Sequence, residues 1–536
     1  MCSNGNYTLF DVKGCYSILE KKYNIIEKLS DRNPIKIIIC LIISGLIIRF
    51  YFIPFNLPIS LDAIDYFAYA VAMSREGIFP SGYILTNFGW SSFLSIVFSF
   101  FKESEMLELM NIQRILNTVI SVLTIIPIYL LVKTFFRKEI ALLGATLFLF
   151  DPRIIQNSIL GITDGLFILL TTLTMLFIFY KNSSLIYLSF IFVALAAFVR
   201  YEGIVLIIPL LVSYAIKNRQ QKIPNIKLLV GISLFLIIII PINFINYEDT
   251  QQTSIFTQIV ARGDFISENI IANELDKDDE FFATNENHMK IFIENAVGGF
   301  FKYLGWILIP TSIIFCVLGI IFIPKKITKN KIIFGLFFVF LALSSIYAYG
   351  RGFQETRYLL VLLPIFALLS GYGFNYMMKY GFKKIILITV IAVIISSFIF
   401  IEYKSQDNQY EYEMYDATLF LTNEAEGVNN YHSNKYVKVA DLQNNWPELL
   451  PKGENGKMDL ITKKFKIEGF ERPSEYIEFN KNKGLTHLLI KEGDHNGFFD
   501  DVFHNENKYP LLEKIVDSKD LGIKTKYKIF KINNEK

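Results

Sequence analysis

Cysteine and histidine are scarce in this 536-residue sequence, and neither recurs at the spacing of a metal site or a disulfide framework. The four cysteines are Cys2, Cys15, Cys40 and Cys316, and residues 404–536 contain none. This excludes a disulfide-stapled domain at the C-terminal end and gives no zinc-ligand pattern. A secretory signal peptide is not indicated, because a largely polar stretch precedes the first apolar run and no small-residue cleavage site follows it.

Charged residues are also rare inside a series of apolar runs that fills residues 35–401. A helix needs about 20 apolar residues to cross a bilayer, and only a helix satisfies every backbone polar group locally in hydrocarbon. The shorter apolar stretch Trp90–Phe101 favours a helix lying in the membrane interface. The sequence therefore predicts an α-helical polytopic membrane protein with about eleven transmembrane helices. The predicted spans lie near residues 35–52, 112–132, 139–155, 163–180, 184–199, 203–216, 227–245, 303–323, 332–348, 357–377 and 384–402.

The distribution of positive charge predicts the orientation of these helices. Lysine and arginine are concentrated in the even-numbered connections, whereas the opposite connections carry few cations and the loop Glu248–Glu294 is acidic. Because cytoplasmic loops carry the excess of Lys and Arg, we predict a multi-pass protein of the cell membrane with a cytoplasmic N-terminus and an extracytoplasmic C-terminus. The cationic connections lie near residues 133–138, 181, 217–227, 325–331 and 379–384.

The C-terminal residues 404–536 are polar and rich in Lys, Glu and Asn, which predicts a small soluble α/β domain on the extracytoplasmic side. Strands are predicted at Tyr436–Ala440, Thr486–Ile490 and Lys526–Ile532, and a helix at Glu411–Asn423. The predicted organisation is a cytoplasmic N-terminal segment at 1–33, a transmembrane domain at 34–403 and the extracytoplasmic domain at 404–536.

Ionisable side chains gather at the predicted outer face of the membrane. A charged group inside a bilayer costs about 2.5–3.5 kcal/mol on insertion scales, so such residues are often functional. An arginine fork suits a phosphate, and a carboxylate suits a general base that takes a proton from an attacking hydroxyl. A lipid-phosphate sugar would present such a phosphate at the headgroup level. The candidates are Asp62, Asp65 and Tyr66 in the first outer loop, Asp151, Arg153 and Asp164 in the second, Arg200 and Glu202 in the third, and Arg351, Glu355 and Arg357 in the fifth.

Several of these residues also have a purely structural interpretation, which the sequence leaves open. The acidic loop is expected to be a solvated face; it leaves room for a divalent cation, although it lacks the spacing and the glycine of a calcium loop. No other cofactor and no nucleic-acid partner is indicated. The structural interpretations are helix capping by Asp151 and Arg153, a turn ion pair between Arg200 and Glu202, and interfacial aromatic roles for Tyr66, Tyr69 and Trp90.

Taken in order, these motifs resemble those of the GT-C glycosyltransferases. That group uses polyprenyl-phosphate sugars and includes protein O-mannosyltransferases and the lipid A aminoarabinose transferase. The Lys/Asn/Ile-rich composition looks most like that of archaeal members. The matching motifs are Asp62 four residues before Tyr66, the stretch from Phe150-Asp151-Pro152 to Thr163-Asp164, the turn Arg200-Tyr201-Glu202-Gly203, which is similar to Arg-Pro-Glu-Gly, and Glu355-Thr356-Arg357-Tyr358 at the start of a late helix.

The resemblance implies an inverting membrane hexosyltransferase that moves a sugar from a polyprenyl (dolichyl)-phosphate donor to a protein, lipid or glycan acceptor. Asp62 would be the catalytic base, and Arg357 or Arg351 would stabilise the departing lipid phosphate. Arg200 could assist there. The remaining implied substrate-binding residues are Asp65, Tyr66, Asp164 and Glu202.

The sequence also departs from the family pattern. Ala63 stands where the family often has a second acid, a role that Asp65 could take over. No Trp-Trp-Asp-Tyr-Gly motif occurs in the C-terminal part, which argues against an oligosaccharyltransferase catalytic subunit. Within the superfamily, a polymer ligase or a transferase with another donor sugar stays open.

Two other classes of protein stay open on the sequence alone. A membrane transporter or flippase would bind its substrate near the midplane, with paired halves and broken helices, and the sequence has no visible repeat. A receptor or scaffold would instead work through the C-terminal domain. That domain has no evident binding motif, and its histidines (His432, His487, His495 and His504) are expected to be solvated.

Overall fold

The computed structural model describes residues 33–80, 85, 87–180, 185–218, 224–250, 288–309, 312–429, 436–450, 461–467, 469–493 and 497–533. The predicted N-terminal segment 1–33, apart from Asn33, and most of the acidic loop Glu248–Glu294 lie outside the described residues. The described chain consists of long apolar helices followed by a mixed α/β region.

Helices dominate the chain up to residue 405. Two short 3-10 segments, Tyr201–Leu206 and Thr356–Leu362, each lead directly into a longer helix. The helices are α1 Pro34–Phe52, α2 Asp62–Glu76, α3 Phe88–Phe98, α4 Met106–Leu123, α5 Ile125–Lys133, α6 Lys138–Leu149, α7 Pro152–Ser158, α8 Asp164–Phe179, α9 Ile186–Val199, α10 Ile207–Asn218, α11 Pro224–Thr250, α12 His288–Leu308, α13 Ile313–Ile321, α14 Lys329–Gly350, α15 Leu363–Lys379 and α16 Lys383–Ser405.

The predicted spans coincide with these helices, either singly or as pairs of consecutive helices. Within the described residues, six helical stretches are long and apolar enough to cross a membrane, and the pair α12–α13, bent by 111°, would make a seventh. Helices α8 and α9 are apolar but have only 16 and 14 residues, fewer than the about 20 that a straight span needs. The predicted multi-pass helical architecture is confirmed, and the count of eleven stays a prediction.

Close helix contacts and an apolar outer surface both fit a bilayer environment. A Cβ on Gly319 of α13 would lie 2.0 Å from the carbonyl oxygen of Leu369 in α15, so only glycine permits this approach. Helix α1 instead exposes isoleucines spaced four residues apart along one face, as expected for a helix that contacts lipid. These are Ile35, Ile39, Ile43 and Ile47.

The first predicted outer connection folds into two helices, α2 and α3, which pack against each other. Helix α2 begins at Asp62 and ends at Gly77, whose positive φ of 77° closes the helix in the left-handed conformation. Helix α3 also packs against α9. Gly89 makes this contact possible, because a Cβ there would lie 2.6 Å from the backbone carbon of Phe198.

The aromatic residues of this connection are core residues, and the predicted interfacial roles of Trp90, Tyr66 and Tyr69 are wrong. All three side chains are buried in protein. Trp90 Nε1 donates to the carbonyl oxygen of Gly161 at 2.9 Å, which ties α3 to the turn after α7. The helices of the connection cover one another, so the aromatic rings that the sequence appeared to offer to the headgroup region fill the interior instead.

The C-terminal region, which we call the tail, contains a five-stranded mixed sheet in the order β2-β1-β3-β5-β4. Strand β1 runs parallel to β2 and β3, whereas β5 is antiparallel to β3 and β4. The elements are α17 Asp407–Glu424, β1 Gly427–Asn429, α18 Val437–Asn444, β2 Lys463–Phe465, α19 Pro473–Lys481, β3 His487–Lys491, α20 Asp500–His504, a 3-10 segment Glu506–Lys508, β4 Leu512–Asp517 and β5 Tyr527–Ile532.

Most of the predicted elements of the tail are present. The predicted helix Glu411–Asn423 lies within α17, and strands β3 and β5 match Thr486–Ile490 and Lys526–Ile532. The strand predicted at Tyr436–Ala440 is wrong, because most of this stretch belongs to helix α18. Helix α18 packs on α17, and this tertiary contact overrides the locally strand-like pattern.

The tail is docked directly on α2, α3 and α4. Side chains from α2, α3 and α4 form one hydrophobic cluster with tail residues that include Tyr436, Val439 and Leu442. Trp446 stacks on Phe67 of α2, with ring centroids 5.9 Å apart. The helix that begins at Asp62 is therefore held from outside by the tail.

Candidate active site

Asp62 and Arg357 form an ion pair across two predicted outer loops. Asp62 opens α2, and Arg357 lies in the 3-10 segment that leads into α15. Arg357 Nη1 donates to Asp62 Oδ2 at 2.7 Å, and Arg357 Nε lies 2.5 Å from Glu355 Oε2. Both partners remain partly accessible, with the side chain of Asp62 51% exposed and that of Arg357 25% exposed. A carboxylate and an arginine fork thus meet at an open surface.

The backbone just before Asp62 is strained. Leu61 has φ 54° and ψ −135°, a combination that residues other than glycine rarely adopt. Such a conformation costs about 1–3 kcal/mol and persists only when the surrounding structure enforces it. The start of α2 is therefore fixed in place, and the Asp62 carboxylate with it.

A cleft of about 500 Å³ opens beside this ion pair. Asp62, Arg357 and Glu355 line it, together with Pro54 and the stretch from Leu57 to Leu61. Arg114 of α4 also lines it. Tail residues supply the rest of the polar lining, namely Asp407, Asn408, Glu411 and Tyr436. Its volume lies within the range of about 300–1,000 Å³ that is typical of small-ligand sites.

Arg200 is the centre of a second, buried cluster. Its Nη1 donates to Asp164 Oδ1 at 2.5 Å and its Nη2 to Glu202 Oε1 at 3.1 Å. Asn157 Nδ2 donates to the other Asp164 oxygen at 3.1 Å. Burial alone would lower the pKa of Arg200, but the charges of Glu202 and Asp164 outweigh it and raise that pKa well above its usual value. The guanidinium therefore stays charged.

Arg357 joins the two clusters. It lines a cavity of about 10 Å³ together with Asp164, Arg200 and Glu202, and it also lines the cleft beside Asp62. Glu202 Oε2 is buried with no hydrogen-bond partner among the described residues. The structure thus brings together candidates from the predicted first, second, third and fifth outer connections.

Three predicted substrate-binding residues lie outside these two clusters. Asp65 forms an ion pair with Lys438 of the tail. Tyr66 is buried, its carbonyl oxygen accepts a hydrogen bond from Ser91 Oγ, and burial raises the pKa of its hydroxyl. Arg351 lies over the ring of Phe353, 5.7 Å from its centroid, and lines neither the cleft nor the small cavity.

The two residues for which helix capping was a rival interpretation are used structurally. Asp151 caps α7, because its Oδ1 accepts from the backbone N–H groups of Arg153 at 2.9 Å and of Ile154 at 3.3 Å. The Arg153 guanidinium lies over Phe400 of α16, 4.6 Å from the ring centroid. The Arg200–Glu202 ion pair in the turn is present as well.

Sequence reasoning missed Arg114 and the tail residues of the cleft. Arg114 lies in the stretch of α4 that hydropathy predicts as a span, and an arginine at that depth is itself a functional signal. The tail residues carry no motif, and only tertiary structure brings them to Asp62. Among the described residues, no group of three or more His, Cys, Asp or Glu side chains is arranged to hold a metal ion.

Comparison with known proteins gives a family match and several similar solved structures. Residues 93–244 match the family described as dolichyl-phosphate-mannose-protein mannosyltransferase. No curated protein sequence matches the chain. The oligosaccharyltransferase of Archaeoglobus fulgidus, solved with Zn and sulfate, is similar in structure, with a TM-score of 0.52 and 13% identity over 84% of this chain and 68% of that one.

A second solved structure is similar over nearly the whole chain. ArnT of Cupriavidus metallidurans in the apo state has a TM-score of 0.50 and 9% identity, and covers 92% of this chain and 97% of its own. The same protein bound to undecaprenyl phosphate gives a TM-score of 0.50 at 9% identity, covering 93% and 98%. The chain therefore shares the fold of these solved structures, and the family match over residues 93–244 agrees with the resemblance that the sequence motifs indicate.

Proposed function

We propose that this chain is an integral membrane glycosyltransferase that moves a sugar from a polyprenyl (dolichyl)-phosphate donor to a hydroxyl acceptor on the extracytoplasmic face. The observation that carries the proposal is the Asp62–Arg357 pair at the edge of an open cleft. Two comparisons support it: the mannosyltransferase family match and the similar fold of ArnT, which has been solved bound to undecaprenyl phosphate.

Asp62 is the proposed base. It takes the proton of the acceptor hydroxyl, whose oxygen attacks the anomeric carbon of the sugar. As that bond forms, the bond from the anomeric carbon to the phosphate oxygen breaks, and the electron pair leaves with the polyprenyl phosphate. Attack on the face opposite the phosphate inverts the configuration at the anomeric carbon.

Arg357 is the proposed phosphate ligand. In the structure it forms an ion pair with Asp62. A guanidinium has five N–H donors, so Arg357 can turn its Nη groups to a phosphate and keep Glu355 on Nε. Donor binding would then free Asp62 for the acceptor, which favours an order in which the donor binds first.

The Arg200 cluster is proposed to position Arg357 for phosphate binding without touching the substrate itself. Arg200 is already bound by two carboxylates, and the cavity that it shares with Arg357 has room for little more than a water molecule. Asp164 and Glu202 are therefore proposed to hold Arg357 in position together with Arg200, and to contribute to the electrostatic environment of its guanidinium. Asp65, paired with Lys438, holds the tail on α2 in this proposal.

The experiment is sugar transfer by the purified full-length protein from polyprenyl-phosphate mannose and other polyprenyl-phosphate sugars. Asp62→Asn is expected to lower the rate by about 10²–10⁴-fold, the usual contribution of a general base, with insertion and folding retained. Asp65→Asn is the matched comparison and is expected to keep most of the activity, because Asp65 does not line the cleft and its ion pair with Lys438 is partly exposed. A fully active Asp62→Asn protein would refute the assignment of the base, and substrate movement without bond formation would favour a flippase.

A further inference from the structure

Helix α4 has a buried polar face, although most of it lies in a stretch that hydropathy predicts as a membrane span. Gln113 and Asn117 are fully buried, and Arg114 is 4% exposed. A polar side chain inside a membrane domain is costly unless it is hydrogen-bonded, so its partners indicate what it does. The partners here are chiefly backbone carbonyl groups of the first and second predicted outer connections, which carry Asp62 and Asp164.

Gln113 bonds both of these connections through one nitrogen atom. Its Nε2 donates to the carbonyl oxygen of Ala63 at 3.1 Å and to that of Gly161 at 2.7 Å. Because both oxygens are acceptors, the nitrogen end of the amide must face them. Ala63 directly follows Asp62, and Gly161 belongs to the turn that leads to Asp164. One side chain therefore ties the turn of the proposed base to the turn that leads to the Arg200 cluster.

The polar residues beside Gln113 on α4 each hold one connection only. Arg114 Nη1 donates to the carbonyl oxygen of Leu57 at 2.5 Å, on the stretch that leads to the proposed base. Asn117 Nδ2 donates to the carbonyl oxygen of Ser158 at 2.9 Å, in the second connection. Of these three side chains, Gln113 alone bonds both connections within the part of the chain that the structure describes. Its removal would change their relative position while each stays attached to α4.

The proposed base and the proposed phosphate ligand come from distant parts of the chain. Their ion pair joins them only until Arg357 turns to the donor phosphate. Arg357 shares a small cavity with Asp164 and Arg200, so it belongs to the side of the site that the second connection supplies. Once Asp62 is released, the bonds of Gln113 still hold it to that side. Such a tie matters, because a misplacement of about 1 Å can lower a rate by about 10²-fold.

We propose that Gln113 is a positioning residue for the transfer step. Its amide keeps Asp62 in place relative to Arg357 while the donor phosphate occupies Arg357. Gln113 is not among the residues that line the cleft, so it acts through the backbone of Ala63 and Gly161. This inference rests on the proposed function.

Gln113→Met is the test variant, because methionine has a similar length and volume but no hydrogen-bond donor. Full-length protein is assayed with polyprenyl-phosphate mannose as the varied donor, and rates are divided by the number of sites that bind polyprenyl phosphate. We expect kcat per site to fall about 10–100-fold with an unchanged KM for the donor, since donor binding does not depend on the place of the base. A purely structural role would lower the number of sites and leave kcat per site native, which would overturn the proposal.

Gln113→Asn is the second variant and covers the case in which Gln113→Met does not fold. It keeps the amide but is one methylene shorter, so it cannot reach both carbonyl oxygens from the same backbone position. It is expected to show the same division, a lower kcat per site at an unchanged KM. A native kcat per site in Gln113→Asn would count against the proposal.

Thr124→Val is the matched control. Thr124 is a fully buried residue at the end of α4, and its Oγ1 donates to the carbonyl oxygen of Ile120 in the same helix at 2.8 Å. Its replacement removes a buried donor from α4 without touching either connection, so kcat and KM should stay native. A loss of kcat per site equal to that of Gln113→Met would show that α4 is merely destabilised and would refute positioning by Gln113.

Hydrogen exchange separates this inference from the proposed function, because it requires no turnover. In Gln113→Met, the backbone N–H groups of Ala63 and Ile64 and those of residues 159–163 should exchange about five-fold faster, since both turns lose a bond to α4. Unchanged exchange in both stretches would overturn the inference, whatever the native protein transfers. Faster exchange there, in a protein whose native form transfers no polyprenyl-phosphate sugar, would contradict the proposed function and leave the tie between the two connections standing.

Discussion

Arg357 contacts two carboxylates at once, and this explains why arginine matters at that position. Its Nη1 lies 2.7 Å from Asp62 Oδ2 and its Nε lies 2.5 Å from Glu355 Oε2. A planar guanidinium presents its donors in a fixed fork, whereas a lysine ammonium is a compact point charge. Arginine can therefore exchange Asp62 for a phosphate while it keeps Glu355, and lysine cannot reproduce this geometry.

We expect Arg357→Lys to lower kcat/KM for polyprenyl-phosphate mannose by about ten-fold or more, because a hydrogen bond to a charged group contributes roughly 1.5–3 kcal/mol. Steady-state kinetics with the donor varied at saturating acceptor would measure this. Arg351→Lys is the comparison, and it should keep most of the activity, since Arg351 lies over Phe353 outside the cleft. A larger loss in Arg351→Lys than in Arg357→Lys would move the phosphate site to Arg351.

At the level of secondary-structure elements, hydropathy predicted the positions of the apolar helices, because length and apolarity are what a span requires. The same information was insufficient for the tail. Val437 and Val439 alternate with polar residues as in a strand, yet both are buried in helix α18. Trp90 was misjudged for a related reason, since only the packing of α3 on α2 and α9 shows that it is enclosed.

One of the contacts that dock the tail on α2 is an aromatic pair that can be removed. Trp446 stacks on Phe67, and the Arg75 guanidinium lies 5.3 Å from the Trp446 ring centroid. An aromatic pair contributes about 0.5–1.5 kcal/mol beyond burial, and the partly buried Trp446 also packs against the hydrophobic cluster of α2, α3 and α4. We expect Trp446→Ala to loosen the tail, to increase its cleavage in limited proteolysis and to lower transfer.

Phe479→Ala is the matched control, because Phe479 is a half-exposed ring on α19 that belongs to the tail but is remote in the chain from the docking contact. It should leave the proteolysis pattern unchanged. Resistance of Trp446→Ala to proteolysis, equal to that of the native protein, would show that the tail is held by its other contacts alone.

For the whole molecule, the sequence predicted that the candidate residues lie at one face of the membrane, but it did not predict all the residues that line the site. Asp62, Asp164, Arg200 and Arg357 were each placed at the outer face by charge and hydropathy, and the structure brings them into two touching clusters. The tail residues of the cleft could not be predicted, because Asp407 and Glu411 lie on a polar helix that reaches the cleft only through the docking of the tail on α2. A sequence pattern describes a single element, whereas this cleft is lined together by residues around Asp62, by the segment around Arg357 and by the tail.

A labelling measurement on the tail would show on which side of the membrane both the tail and the Asp62 cleft lie. Lys438 of the tail pairs with Asp65 on α2, so the tail and Asp62 must lie on the same side of the membrane. The native cysteines Cys2, Cys15, Cys40 and Cys316 can be replaced by serine. Single cysteines would then be introduced at Lys519, exposed in the tail, and at Lys326, exposed in a connection predicted to be cytoplasmic.

A membrane-impermeant maleimide applied to intact cells is expected to label Lys519→Cys and to leave Lys326→Cys unlabelled until the membrane is permeabilised. The physical reason is the excess of lysine in the connection around Lys326, which is retained on the cytoplasmic side during insertion. The reverse labelling pattern would place the tail, and through its contact with α2 the Asp62 cleft, in the cytoplasm. The proposed transfer would then require a donor whose sugar faces the cytoplasm.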